Sequence, residues 1–183
     1  MKVIFDSEAE LEQFIFDAYD MHGRMIVDQT EPDTLIRQMN LSPYGVADLV
    51  SFIFCRAPDE SVHIAVTVYE LKKEQITASA FAQAYRYLTA IENTVQSLYP
   101  ACEFVGSVAL VGTSIDESCF MLNHTNAYFY KVFFNLESGV DFEDLSDGWA
   151  RECSSISSVV DALNYVSQKP NPNANEKKGF GFE

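Results

Sequence analysis

Two neighbouring runs decide how this chain folds: VADLVSFIFCR at residues 46–56 and VHIAVTVYELKK at residues 62–73. Both are rich in Val, Ile, Phe and Tyr, the residues that suit a pleated, half-buried surface. Between them stands Ala57-Pro58-Asp59-Glu60-Ser61, a turn-forming loop. The pair therefore reads as an antiparallel hairpin. Side chains alternate between the faces of a strand. One face of the second run holds Val62, Ile64, Val66, Val68, Glu70 and Lys72. One face of the first holds Val46, Asp48, Val50, Phe52 and Phe54, with Asp48 its one charged member. A loop centred near residue 59 sets Asp48 almost opposite Glu70. Two carboxylates and an ammonium thus meet at the rim of an apolar face.

Outward from the hairpin, the elements follow by pattern. Ser7 caps a first helix and Glu10 stands three residues later as its capping-box partner. Leu11, Phe14, Ile15 and Ala18 recur at helical spacing, and His22-Gly23 ends the run. Residues 24–29 and 35–39 read as short strands, followed by a turn at Ser42-Pro43-Tyr44-Gly45. A long helix is expected over 77–98, stopped by Pro100, then strands at 103–113 and 127–135 and a last helix at 155–166. The order is α-β-β-β-α-β-β-α. One domain is expected over residues 1–167, with a Pro-, Asn-, Gly- and Lys-rich tail at 168–183.

The chain has 183 residues, of which 48% are hydrophobic and 21% charged, enough for one full-sized core. The N-terminus turns acidic at Asp6 before an apolar leader forms, and no apolar run reaches the length of a membrane span. The expected location is the cytoplasm. Cys55, Cys102, Cys119 and Cys153 show no CxxC spacing, so they read as reduced thiols rather than a zinc site. The net charge of −15 weighs against nucleic-acid binding by bulk electrostatics. Any such contact needs a local basic patch or bound cations.

Asp48, Glu70 and Lys72 together suit divalent-metal chemistry. Mg²⁺ takes carboxylate oxygens and keeps several waters. A metal held by two carboxylates activates a water and stabilises charge on a phosphate, with the lysine beside it neutralising developing charge. Asp48 followed by Glu70-Leu71-Lys72 resembles the PD-(D/E)XK nuclease superfamily, whose members share the restriction-endonuclease-like fold. Gly45-Val46-Ala47-Asp48-Leu49 resembles the family's G-x-x-D-hydrophobic form, with Ala47 in place of the eponymous proline. The resemblance covers residues 7 to 135. It implies an α/β (α+β) core with a central mixed sheet flanked by helices. It also implies a Mg²⁺- or Mn²⁺-dependent nuclease acting on DNA, with Asp48, Glu70, Lys72 and Glu12 catalytic. Asp48, Glu70 and Glu12 would ligate the metal, with Glu10 the alternative to Glu12 on the first helix. Gln83 and Tyr87 match the family's Gln-x-x-x-Tyr helix pair, and with Arg86 they form the expected substrate-binding set.

Plainer readings stand beside these. Glu70 and Lys72 also fit a solvated strand-end ion pair. Asp48 also fits a cap on the preceding turn, Glu12 a solvated helix residue, and Gln83 with Tyr87 a helix-surface pair. His22, His63 and His124 do not cluster, and none is assigned to catalysis. Two rival functions follow from the charge. One is a non-cleaving nuclease-fold module that binds a protein partner through an acidic surface. The other is a mimic of DNA charge. A homodimer is compatible with the nuclease reading, because one active site cuts one strand.

Overall fold

The computed structural model describes residues 5–56, 61–116, 119 and 126–146. They belong to a compact unit spanning Met1–Ser146. The expected helix at 155–166, the domain end at 167 and the tail at 168–183 lie outside the described residues.

Helix α1 spans Glu8–His22; the Ser7 side chain accepts from the Glu10 backbone N–H, and Gly23 closes the helix in the left-handed conformation with φ 71°. The capping box is half-formed. Glu10 turns its carboxylate to the Asp6 backbone N–H rather than to that of Ser7. Strand β1 spans Thr34–Asn40, β2 Val46–Arg56 and β3 Val62–Leu71, an antiparallel meander. A two-residue strand β4, Gln75–Ile76, leads into helix α2, Ala78–Leu98. Strand β5 follows at Glu103–Gly112, β6 at Ser114–Ile115, β7 at Ala127–Asn135 and β8 at Gly139–Asp144.

The main sheet has six strands in the order β1-β2-β3-β5-β7-β8, and β4 pairs with β6 in a small second sheet. The β3–β5 and β5–β7 pairings are parallel and the others in the main sheet are antiparallel. This is the mixed α+β architecture expected, consistent with a restriction-endonuclease-like core. Leu11 and Ile15 of α1 pack with Leu49, Tyr69, Leu71, Ala109 and Val111. Those strand positions are odd-numbered, so by alternation Val50, Val66, Val68, Val108 and Leu110 face the other way. There α2 lies over β3 and β5, close enough that a Cβ on Gly106 would meet Leu88 at 2.9 Å.

Residues 24–29 and β8 depart from the sequence expectation, as do the two-residue strands β4 and β6. Residues 24–29 are a turn, not a strand. The apolar alternation there is real, since Met25 and Val27 are buried in the α1-side core. The backbone is diverted by local bonds: Gln29 N–H donates to the Met25 carbonyl, and Asp28 accepts from both the N–H and hydroxyl of Thr30. In addition, β8 was not foreseen. Its GVDFED run carries only Val140 and Phe142 as large apolar residues. Among the described residues no helix is long and apolar enough to cross a membrane.

Candidate active site

The hairpin register is the one the loop position implies. Leu49 stands across from Tyr69 and Val50 across from Val68. One further step in that ladder sets Asp48 across from Glu70. Asp48 Oδ2 accepts from the Leu71 backbone N–H at 2.9 Å, which ties the first carboxylate to the strand bearing the second. Glu70 is 1% exposed. Its Oε1 accepts from Lys72 Nζ at 2.8 Å, while Oε2 is buried with no hydrogen-bond partner. An orphaned, buried carboxylate oxygen costs about 1–3 kcal/mol or more, and it calls for a ligand to explain it.

Burial dominates the electrostatics. It raises the Asp48 carboxyl above its ordinary range, against the opposing pull of the Leu71 N–H and Lys72. It pushes Glu70 up to about 7, with Lys72 resisting and Asp48 adding to the rise. Burial alone would lower Lys72, but its hydrogen bond to Glu70 and the surrounding carboxylates outweigh that and raise it. Lys72 therefore remains a full positive charge beside a carboxylate pair that resists double ionisation. This is the electrostatic condition in which a divalent cation is favoured.

Helix α1 supplies its carboxylates differently from expectation. Glu8 Oε2 lies 3.7 Å from Lys72 Nζ. Glu8 also acts on both Asp48 and Glu70 through charge. Glu12, one turn later, acts on Asp48 through charge. Its Oε1 accepts from Arg37 Nε and its Oε2 from Gln38 Nε2. Glu10 is bound to the Asp6 N–H. Sequence reasoning missed Glu8, although it shares a helix face with Glu12 by i,i+4 spacing.

The α2 residues touch one another as the spacing implies. Gln83 Nε2 donates to Tyr87 Oη at 3.1 Å, and the Arg86 guanidinium lies 5.4 Å from the Tyr87 ring centre. Tyr87 is buried, whereas Arg86 is exposed. Tyr87 packs on Gly45, whose φ of 114° only glycine adopts readily; a Cβ there would meet Tyr87 Oη at 2.9 Å. Through this contact α2 fixes the start of the strand that carries Asp48.

Among the described residues no three His, Cys, Asp or Glu side chains form a group that could hold a metal ion. Asp48 and Glu70 nonetheless fit a hard cation, because Mg²⁺ is commonly held by one or two carboxylates and completed by water and substrate phosphate.

No protein-family model matches the chain, and no curated protein matches it. Among solved structures, it is similar to a repair endonuclease from Pyrococcus abyssi, with a TM-score of 0.44 and 21% sequence identity. The similarity covers 69% of this chain and 47% of that one, so the chain spans about half the length of the enzyme it matches.

Proposed function

We propose that this protein is a Mg²⁺- or Mn²⁺-dependent nuclease of PD-(D/E)XK type that hydrolyses phosphodiester bonds in DNA. The observation that carries this reading is the buried, unpartnered Oε2 of Glu70, set across the hairpin from Asp48 and beside Lys72. Asp48 and Glu70 would hold the metal, with Glu8 or Glu12 contributing from α1. When bound, the ion supplies a Lewis acid for a phosphate oxygen and lowers the pKa of the attacking water. Lys72 is anchored by Glu70 Oε1, so its ammonium has a fixed place from which to orient that water and offset charge developing on the phosphate. Asp48 is fixed by the Leu71 N–H, and its orientation does not depend on substrate. Arg86, exposed on α2, offers a cation to the nucleic-acid backbone, while Gln83 and Tyr87 steady the helix beneath it. A homodimer would supply the second site needed to cut a duplex on both strands.

The test is cleavage of linear, supercoiled, single-stranded and branched DNA with Mg²⁺, Mn²⁺ or EDTA, beside Lys72→Ala. The expected result is metal-dependent cutting that falls by about 10²-fold or more in the variant. If no substrate is cut and the folded wild type takes up no Mn²⁺ by calorimetry, the reading fails. The net charge of −15 then favours the second reading, a nuclease-fold module that docks a basic protein partner.

A further inference from the structure

Strand β1 is irregular beside the candidate site. Among the described residues, the non-glycine positions with positive φ are Gln29, Gln38 and Ser42, and of these Gln38 is the one inside a strand, with φ 49°. The β-carbon of a glutamine disfavours that left-handed backbone. The irregularity falls at one step of the β1–β2 ladder. Arg37 stands across from Leu49 and Met39 across from Ala47, while the Gln38–Asp48 pair between them is not formed. The distorted residue therefore lies across from the first carboxylate of the site.

Neighbouring side chains of a regular strand point to opposite faces. Arg37 and Gln38 instead reach the same carboxylate. Arg37 Nε donates to Glu12 Oε1, and Gln38 Nε2 donates to Glu12 Oε2. Arg37 Nη1 also donates to Gln13 Oε1, which fixes the guanidinium against α1. Glu12 is 3% exposed. It has a donor on each oxygen and a guanidinium balancing its charge. A carboxylate held this way is a poor cation ligand, because it must surrender charge-assisted hydrogen bonds to bind. Its charge nonetheless acts on Asp48, which sets it next to the site.

We infer that Gln38 is a positioning residue, whose left-handed backbone lets β1 close on both oxygens of Glu12 and withhold that carboxylate from a divalent ion at Asp48 and Glu70. The inference rests on the metal-binding reading of those two residues. Strained backbone persists where its surroundings over-determine it, and it gathers at functional sites. Here the strain sets how many carboxylates the ion meets. With Glu12 withheld, coordination positions are left for water and a phosphate oxygen.

The experiment is Mn²⁺ calorimetry on the full chain. Gln38→Gly accepts φ 49° without penalty and drops the donor. Gln38→Met keeps the side-chain length and drops the donor. Melts in EDTA check first that both are folded. With one bond removed, Glu12 should join the ion, and the Mn²⁺ dissociation constant should fall about tenfold in either variant, since affinity follows the charge of the ligands and the groups that orient them. In a Glu12→Gln background the same changes should move the constant by no more than about twofold, a silence that a merely structural role for Gln38 does not produce. Unchanged affinity, weaker binding, or tightening that persists in Glu12→Gln overturns the inference, while uptake by the wild type leaves the nuclease reading standing. Uptake by the Gln38 variants alone supports the inference and removes the nuclease reading. Uptake by none of the proteins overturns both.

Discussion

Replacing Glu70 by Gln should stabilise the metal-free protein, and by an amount that depends on pH. Glu70 is 1% exposed, and its burial moves the carboxyl from 4.5 to about 7. Between those two values the native state keeps a proton that the unfolded chain has already released. Native stability therefore falls as pH rises through that window and levels off above it. At about 1.36 kcal/mol per pH unit the full loss is about 3 kcal/mol. Gln keeps an acceptor for Lys72 and does not ionise. The difference in unfolding free energy between Glu70→Gln and wild type should grow from near zero at about pH 4.5 to about 3 kcal/mol at about pH 8. Asp48 is also raised by burial and titrates in both proteins, so the difference reports Glu70 together with its charge coupling to Asp48. Urea unfolding followed by far-ultraviolet circular dichroism in EDTA, at several pH values, measures it. A difference that does not change with pH, or one that grows as pH falls, refutes the reasoning.

Three more outcomes are expected. Mn²⁺ at about one hundred times its dissociation constant should raise wild-type stability by about 2.7 kcal/mol, and thermal melts of Glu70→Gln should show little of that gain. Gly45→Ala forces a side chain into a φ of 114° and against Tyr87 Oη; melts should show a loss of about 1–3 kcal/mol. Glu12→Ala strips the acceptor from Arg37 Nε and Gln38 Nε2. Urea titration should show a cost of about 2–3 kcal/mol, moderated because Arg37 can turn to water.

The hairpin was legible in the sequence because two long alternating runs and a compact loop leave little freedom in register, and register alone brings Asp48 to Glu70. Helix α2 was legible for a similar reason, with its apolar stripe and its stop before Pro100. What the pattern could not convey was which helix carboxylate faces the site. Glu8 and Glu12 share one face of α1, and what sets Glu12 apart is its bonds to Arg37 and Gln38 of β1. The segment at 24–29 misled because buried Met25 and Val27 alternate as a strand would, while Asp28 bonds the chain into a turn. Strand β8 was hidden because half of GVDFED is acidic and its pairing with β7 is settled by tertiary contact. The 2.9 Å contact between His63 Nδ1 and Glu103 Oε2 was invisible because it depends on a parallel crossover between distant strands.

Arg37, Asp48, Glu70 and Lys72 all belong to one stretch of chain, the β1–β2–β3 meander and its end. Its pairings join consecutive strands, whereas β3 meets β5 only after α2 has been made. Loop-closure entropy makes the meander the cheaper unit to form, so it should appear early in folding. Until β5 arrives, one edge of β3 stands open along a run of Ile64, Val66 and Val68, a template for mispairing with other chains. The charges of Glu70 and Lys72 close that run as gatekeepers against aggregation. The residues proposed for chemistry thus also guard the nascent chain, before there is any site for them to serve.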